Sequence, residues 1–278
     1  MQNTIAIICD CDETLSPDTT SFLLEKNGIK PKTFWKGIDK FIKDGWDPPM
    51  AWMTEIFHLM NNGKIKQNTY DDLAQLGKKI KPYDGVPLFI SQIQTKLKKK
   101  KYLNLNIKLE SYIISSGIED LIQGTKFSKE FNGVFGSRFS INKISKKING
   151  VKSIVSFTEK TKFLYAINKG ISDKQLRSNP FLVNDRVKKD ARRIPFENMI
   201  YLGDGTGDVP CFAAVTYFKG GGIGIFTKNN VAKGYKLAKE RRSTVGPYKP
   251  DYRKDSDLRL MLDDMVLRIA DKIVAVNS

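Results

Sequence analysis

Two short stretches bring carboxylates to places where they could act together. Asp10-Cys-Asp12-Glu-Thr14-Leu sets two aspartates two residues apart, directly after the apolar run from Thr4 to Cys9. Gly203-Asp204-Gly-Thr-Gly-Asp208 sets two more in a glycine-rich turn, directly after Asn198-Met-Ile-Tyr-Leu. Crowding like charges is costly unless a cation neutralises them. Mg²⁺ fits that need, since it prefers oxygen ligands and keeps several waters alongside a substrate phosphate. An ionised aspartate held against a bound phosphate can attack phosphorus and form an aspartyl-phosphate. A second aspartate that keeps its proton can protonate the leaving oxygen and later take a proton from water. Asp10 and Asp12 are the candidates for that pair.

Each stretch taken alone has a plainer reading. Asp10 and Asp12 could shape a turn or cap a helix. Gly203 to Asp208 could be a calcium-type loop or a simple turn, although it lacks the twelve-residue EF-hand pattern. Ser115 and Ser116 follow the apolar run Tyr112-Ile-Ile, and Ser115 could equally cap the next helix, Ile-Glu-Asp-Leu-Ile. Thr206 and Gly207 read as loop-shaping residues. A single histidine, His58, excludes a His-rich zinc or iron site, and its apolar helical setting marks it as a core histidine. Cys9, Cys11 and Cys211 are odd in number and without repeating spacing, which argues against a disulfide framework and for a reducing cytosol. Cys9-x-Cys11 has too few soft ligands nearby for zinc.

The elements that must hold these residues can be read from periodicity. Thr4 to Cys9, Tyr112 to Ile114, Asn198 to Leu202 and Gly222 to Phe226 are short apolar runs of the kind that form buried parallel strands. Between the first two, residues 16–82 carry only helical spacing punctuated by Asn, Gly and Pro. That is an insert of roughly 65 residues, about the minimum for a self-standing bundle. Asp84-Gly-Val-Pro opens a helix that ends in Lys96, Lys98, Lys99, Lys100 and Lys101, where cations favour the macrodipole. Residues 131–142 and the segment after them have the pattern of a β-hairpin excursion. Residues 160–169 form a helix, 170–196 read as loop with some helix, and a closing amphipathic helix begins near Asp255. Strands alternating with helices predict an α/β fold, a Rossmann-like parallel sheet with helices on both faces. Asp10, Ser115 and Asp204 then all fall at the carboxyl ends of strands, where such sheets bind ligands.

The set and order of these residues resemble the haloacid dehalogenase (HAD) superfamily. Its four motifs match Asp10 to Thr14, Tyr112 to Gly117, a lysine at 160 that opens a helix, and Gly203 to Asp208, so the resemblance spans nearly the whole chain. It implies Asp10 as nucleophile and metal ligand, with Asp12 as general acid/base whose backbone carbonyl faces the metal. It also implies Asp204 as a Mg²⁺ ligand, Asp208 as a ligand through water or as a partner of the lysine, Ser115 and Ser116 on the phosphate, and Lys160 balancing the acids. Lys162 competes with Lys160, and helical periodicity favours Lys160. An acid at position 12 points to phosphate chemistry, since halide leaves without a proton. The layout resembles the phosphoserine phosphatase branch, with 16–82 as a helical cap inserted after the first strand and 1–15 plus 83–278 as the catalytic core. That branch carries a glutamate nine residues after its nucleophile to read the substrate amine. Thr19 stands there in this chain, so the resemblance does not extend to phosphoserine itself. Trp35, Trp46, Trp52 and Phe57 in the insert could meet a base or ring, but more simply hold the helices together.

The balance of 47 basic and 30 acidic residues leaves a net charge of +17 over 278 residues. Such an excess can signal a polyanionic partner or merely a Lys-rich composition. Lys outnumbers Arg, which is the better residue for bidentate phosphate recognition. No apolar run is long enough to span a bilayer, and the first residues read as a strand and not as a leader peptide. The expectation is a cytoplasmic, Mg²⁺-dependent phosphatase acting on a small phosphorylated metabolite. The alternatives are a phosphatase acting on nucleic-acid ends and a non-catalytic nucleic-acid-binding protein of the same fold.

Overall fold

The computed structural model describes residues 2–228, 230–240 and 242–277. A seven-stranded sheet runs through it in the order β4-β3-β2-β1-β5-β6-β7. The strands are β1 (Thr4–Cys9), β2 (Lys108–Ile118), β3 (Gly133–Ile141), β4 (Ile148–Ser153), β5 (Met199–Gly203), β6 (Gly221–Ile225) and β7 (Val245–Tyr248). All neighbours pair parallel except β3 and β4, which form an antiparallel hairpin.

Strand β1 shows why the sheet is central. All six of its residues are buried. Ile5 and Ile7 join one apolar layer and Ala6 and Ile8 the other, as period-two alternation requires. The first layer is covered by α5 (Phe89–Lys96), α6 (Lys100–Leu103) and the long α12 (Asp257–Asn277). The second is covered by α8 (Glu159–Lys169) and α10 (Val209–Tyr217). The remaining core helices are α7 (Glu119–Gln123), α9 (Asp173–Ser178) and α11 (Val231–Lys239).

Between β1 and β2 stand α1 (Thr19–Lys26), α2 (Pro31–Lys43), α3 (Pro48–Asn61) and α4 (Tyr70–Gly77). Asp18, Asp47 and Thr69 cap three of them, each accepting a backbone N–H of the first turn. Their apolar faces form a third cluster that also takes in Ile118, Leu121, Phe139 and Ile148 from outside the insert. Helix α4 touches α7 backbone to backbone. A Cβ on Gly77 would lie 2.1 Å from the Leu121 carbonyl oxygen, and one on Gly124 would lie 2.1 Å from that of Ala74. Tyr70 OH donates to the Phe139 carbonyl at 2.6 Å, which fastens the same helix to β3.

Several details differ from the sequence-based expectation. Strand β2 continues through Ser115-Ser116-Gly117, because β3 pairs with it past that point after a register shift. Strand β3 is therefore part of the main sheet, and the hairpin with β4 extends its edge. Strand β7 was not expected; four residues containing Gly and Pro carry no strand periodicity. His58 lies on the exposed face of α3 and is not a core residue, because α3 buries Trp52, Met53, Ile56, Leu59 and Met60 on its other side. Trp52 is buried and meets Trp35 edge-on, whereas Trp46 is 40% exposed and packs on Phe41. The expected helix ending at Lys101 is broken into α5 and α6, and each is paired with α12, α5 through Lys96–Asp263 at 2.7 Å and α6 through Lys101–Asp271 at 2.5 Å.

Candidate active site

The central strands deliver the acids. In the β1–β5 register Cys9 lies opposite Leu202, and the Asp10 N–H donates to the Leu202 carbonyl at 2.9 Å. Asp10 and the turn from Gly203 to Asp208 are thus side by side at the carboxyl edge of the sheet. Asp10, Asp204 and Asp208 each offer a carboxylate oxygen, and these atoms lie within 4.8 Å of one another. Gly203 has no alternative here, since a Cβ would meet the Asp208 carboxyl carbon at 2.4 Å.

Lys160 enters from the first turn of α8, 3% exposed, with Nζ 2.7 Å from Asp208 Oδ1 and 3.0 Å from Asp10 Oδ1. Burial alone would push its pKa down. Asp10 and Asp208 together outweigh that and hold the ammonium charged. Lys162 pairs instead with Glu159 and leans over the Phe163 ring. Asp208 is well supplied with donors: besides Lys160, Tyr201 OH gives Oδ1 a bond of 2.7 Å and the Gly205 N–H gives Oδ2 one of 3.1 Å. Asp10 is not. Among the described residues its buried Oδ1 meets Lys160 Nζ at 3.0 Å but has no well-aligned hydrogen bond. Burial, reinforced by Asp208 and opposed by Lys160, raises Asp10 to about 6. Burial also raises Asp204 to about 8, with Asp208 and Asp10 adding to the effect.

This donor set fits a hard divalent cation. Three carboxylates converge, one buried oxygen lacks a well-aligned hydrogen bond, and among the described residues Lys160 is the cationic side chain that offsets them. Asp10, Asp204 and Asp208 are the side chains that would hold Mg²⁺.

Asp12 faces the other way, toward β2. Its Oδ1 accepts the Thr19 N–H at 2.7 Å, and its Oδ2 would lie 2.9 Å from a Cβ on Gly117. Burial pushes its pKa well up, with Asp18 and Asp10 adding to the rise. Ser115, 1% exposed, sits by the same glycine and accepts the Gly117 N–H on Oγ at 3.0 Å. Ser116 is fixed differently, through its carbonyl, which accepts from Ser137 Oγ at 2.7 Å. Among the residues named from the sequence, the structure gathers Asp10, Lys160, Asp204 and Asp208 into one cluster. Asp12 and Ser115 share its β2 flank, and Ser116 turns its carbonyl toward β3.

Sequence reasoning missed Tyr201, Asp18, Glu13 and Asn230. Tyr201 reads as one more apolar strand residue, and nothing local marks its hydroxyl as a partner of Asp208. Asp18 carries the signal of a helix cap, which it is, since it accepts the Ser21 N–H. Its proximity to Asp12 is a product of the tertiary turn. Asn230 Nδ2 donates to Asp204 Oδ2 at 2.5 Å from a loop 26 residues away.

No protein-family model matches the chain. An uncharacterized protein of Borreliella burgdorferi is 29% identical over 238 residues, covering 76% of this chain and 78% of that protein. Among solved structures, a substrate-bound phosphoserine phosphatase superposes with a TM-score of 0.55 at 15% identity, over 95% of this chain and 100% of that one. A HAD-family hydrolase of Salmonella enterica serovar Typhi gives 0.54 at 17% identity, over 86% of this chain. The match spans 65% of that hydrolase. A probable phosphoserine phosphatase of Vibrio cholerae gives 0.53 at 12% identity, over 98% of this chain and 67% of that one. The chain has the fold of these HAD-type hydrolases.

Proposed function

We propose that the protein is a Mg²⁺-dependent phosphomonoester hydrolase that works through an aspartyl-phosphate on Asp10, acting on a small phosphorylated metabolite. The observation that carries this reading is the asymmetry between two neighbouring aspartates. Asp10 sits in the carboxylate cluster beside charged Lys160, whereas Asp12 lies outside that cluster with its proton strongly favoured. A nucleophile and a general acid need that division.

Asp10 attacks phosphorus as the bond to the ester oxygen breaks, and Asp12 gives its proton to the departing oxygen. Asp12 then takes a proton from water as that water attacks phosphorus, and the bond to Asp10 breaks to release inorganic phosphate. Lys160 offsets the charge of Asp10 and Asp208 and of the transferring group. Ser115 and Ser116, near the carboxyl end of β2, would hold the phosphoryl oxygens. Bound Mg²⁺ would neutralise the acids and polarise the phosphoryl group. Residues 16–82 act as the cap over this edge and exclude water during transfer; 1–15 and 83–278 form the catalytic core. The buried free thiols of Cys9, Cys11 and Cys211 suit a reducing cytoplasm. Among the described residues no helix is long and apolar enough to cross a membrane.

The test is phosphate release from a panel of phosphomonoesters, nucleotides, sugar phosphates and phosphorylated oligonucleotide ends, with and without Mg²⁺. Wild type should turn over a small ester only with Mg²⁺. Asp10→Asn should lower kcat by about three orders of magnitude or more, as loss of a nucleophile does. Metal-independent turnover, or turnover retained by Asp10→Asn, defeats the mechanism. Preference for oligonucleotide ends replaces the substrate class.

A further inference from the structure

Asp204 is held by a residue that stands at a helix start but does not cap it. Asn230 occupies the N-cap position of α11, yet its side chain makes no capping hydrogen bond. Its Nδ2 donates instead to Asp204 Oδ2 at 2.5 Å, and its Oδ1 accepts the Thr227 N–H at 2.5 Å. Thr227 Oγ1 lies 3.2 Å from Asn230 Oδ1 and donates to Glu13 Oε2 at 2.6 Å. Asn230 and Thr227 are both buried. Glu13 has φ of 55°, in the left-handed region that disfavours a non-glycine residue. The sharp turn after Asp12 that this φ creates carries the Glu13 carboxylate to Thr227. The same carboxylate accepts from Tyr83 OH at 3.4 Å, and the Tyr83 N–H donates to the Leu15 carbonyl at 2.9 Å. Leu15 and Tyr83 are where the chain leaves the core for residues 16–82 and where it returns.

We infer that Asn230 is a positioning residue for the metal ligand Asp204, and that Thr227 and Glu13 tie it to the two crossings that flank the cap. The inference rests on the Mg²⁺ site proposed above. Its chemistry follows from the kind of donor used. Lys160 gives Asp208 a full positive charge, which weakens that carboxylate as a cation ligand. The Asn230 amide fixes the orientation of the Asp204 carboxylate but leaves its negative charge intact and its second oxygen for the cation. Outer groups of this kind orient ligands and set metal affinity. A capping role would have used the same side chain on the N–H groups of α11, and it does not.

The test is calorimetric titration of the purified full chain with Mg²⁺, for wild type, Asn230→Ala, Glu13→Ala and the double variant, with metal-free melting curves alongside. Asn230→Ala should weaken Mg²⁺ binding about tenfold, the low end for loss of an outer-shell partner. Glu13→Ala should weaken it less, by about threefold, and should add nothing further in the Asn230→Ala background, because it acts through the same clamp. Weakening of Mg²⁺ binding at a temperature where every variant is folded separates positioning from a structural role. Unchanged Mg²⁺ affinity in Asn230→Ala overturns the inference while leaving the proposed function standing. If Asn230→Ala does not fold, Glu13→Ala decides: weaker Mg²⁺ binding supports the inference and wild-type binding overturns it. An independent, additive effect of Glu13→Ala removes the link to the cap crossings. A wild type that binds no Mg²⁺ fails the parent reading instead.

Discussion

Four aspartates sit within one site, and their protons are divided by their neighbours. Asp208 is supplied with Lys160, Tyr201 and a backbone N–H. Asp10 and Asp204 are raised to about 6 and about 8, burial being the largest cause in each. A carboxylate whose folded pKa exceeds its unfolded one keeps a proton that the unfolded chain has already lost. The folded state therefore loses stability as pH rises from the ordinary aspartate range through those values. A divalent cation must displace the same protons, so its affinity climbs across that window. The rise in Tm on adding Mg²⁺ should accordingly be small near pH 5 and grow steadily to about pH 8.5. A Mg²⁺-induced shift that is flat or shrinks with pH would remove Asp10 and Asp204 from the binding site. Asp12 is pushed up as well, but it lies outside the three-carboxylate cluster; in the proposed mechanism its retained proton would serve the leaving oxygen.

The elements explain why such acids can be set so close together. Strands β1 and β5 are adjacent and parallel, so residues just beyond each one meet without help from loops. The insert is fastened to the core by α4, which packs backbone to backbone on α7. Gly124→Ala would drive a Cβ to 2.1 Å from the Ala74 carbonyl oxygen, against backbone that cannot move aside cheaply. The expected loss is about 1–3 kcal/mol, measured by denaturant or thermal unfolding. Gly37→Ala is the control. No atom lies within 4 Å of its new Cβ, and it sits inside α2, so the change should stabilise by about 0.5–1 kcal/mol. Equal effects at both positions would deny that α4 and α7 are in backbone contact. The same contrast explains what the sequence revealed. Asp10, Asp12, Asp204 and Asp208 were legible because each motif sits on one short stretch beside an apolar strand. The four-helix insert was legible because amphipathic spacing repeats within each helix. Tyr201, Asn230 and strand β7 were not legible, because each takes its role from a neighbour far along the chain: Asp208's inward turn, Asp204's free oxygen, and the edge of β6. His58 was misread because periodicity places a residue relative to a stripe, and the stripe on α3 is wide enough to leave its assignment open by one position.

At the scale of the whole molecule, the net charge and the local charge have opposite signs. The chain carries +17, but the candidate site gathers Asp10, Asp204 and Asp208 beside Lys160, with Asp12, Asp18 and Glu13 on its flanks. Part of the basic excess on α5 and α6 is taken up by Asp263 and Asp271 of α12. Surface charge elsewhere acts on a ligand only within a Debye length, about 8–10 Å at ordinary ionic strength. A compact phosphate ester at the carboxyl edge of the sheet would meet chiefly the acids and the Mg²⁺ proposed to sit among them. A nucleic-acid strand would extend well past them and engage surface lysines, releasing counterions at each phosphate. The two substrate classes therefore differ in salt dependence. For a small ester at fixed Mg²⁺, kcat/KM should change by less than about threefold between 50 and 200 mM monovalent salt, since few ion pairs are formed. An oligonucleotide engaging 6–10 phosphates would lose about 10³–10⁵ in binding over the same range. A steep slope on the preferred substrate would move the functional reading to nucleic-acid ends and give the basic surface a role. A flat one would assign that surface to composition alone and leave the acidic cluster as the part of the molecule that selects what is bound.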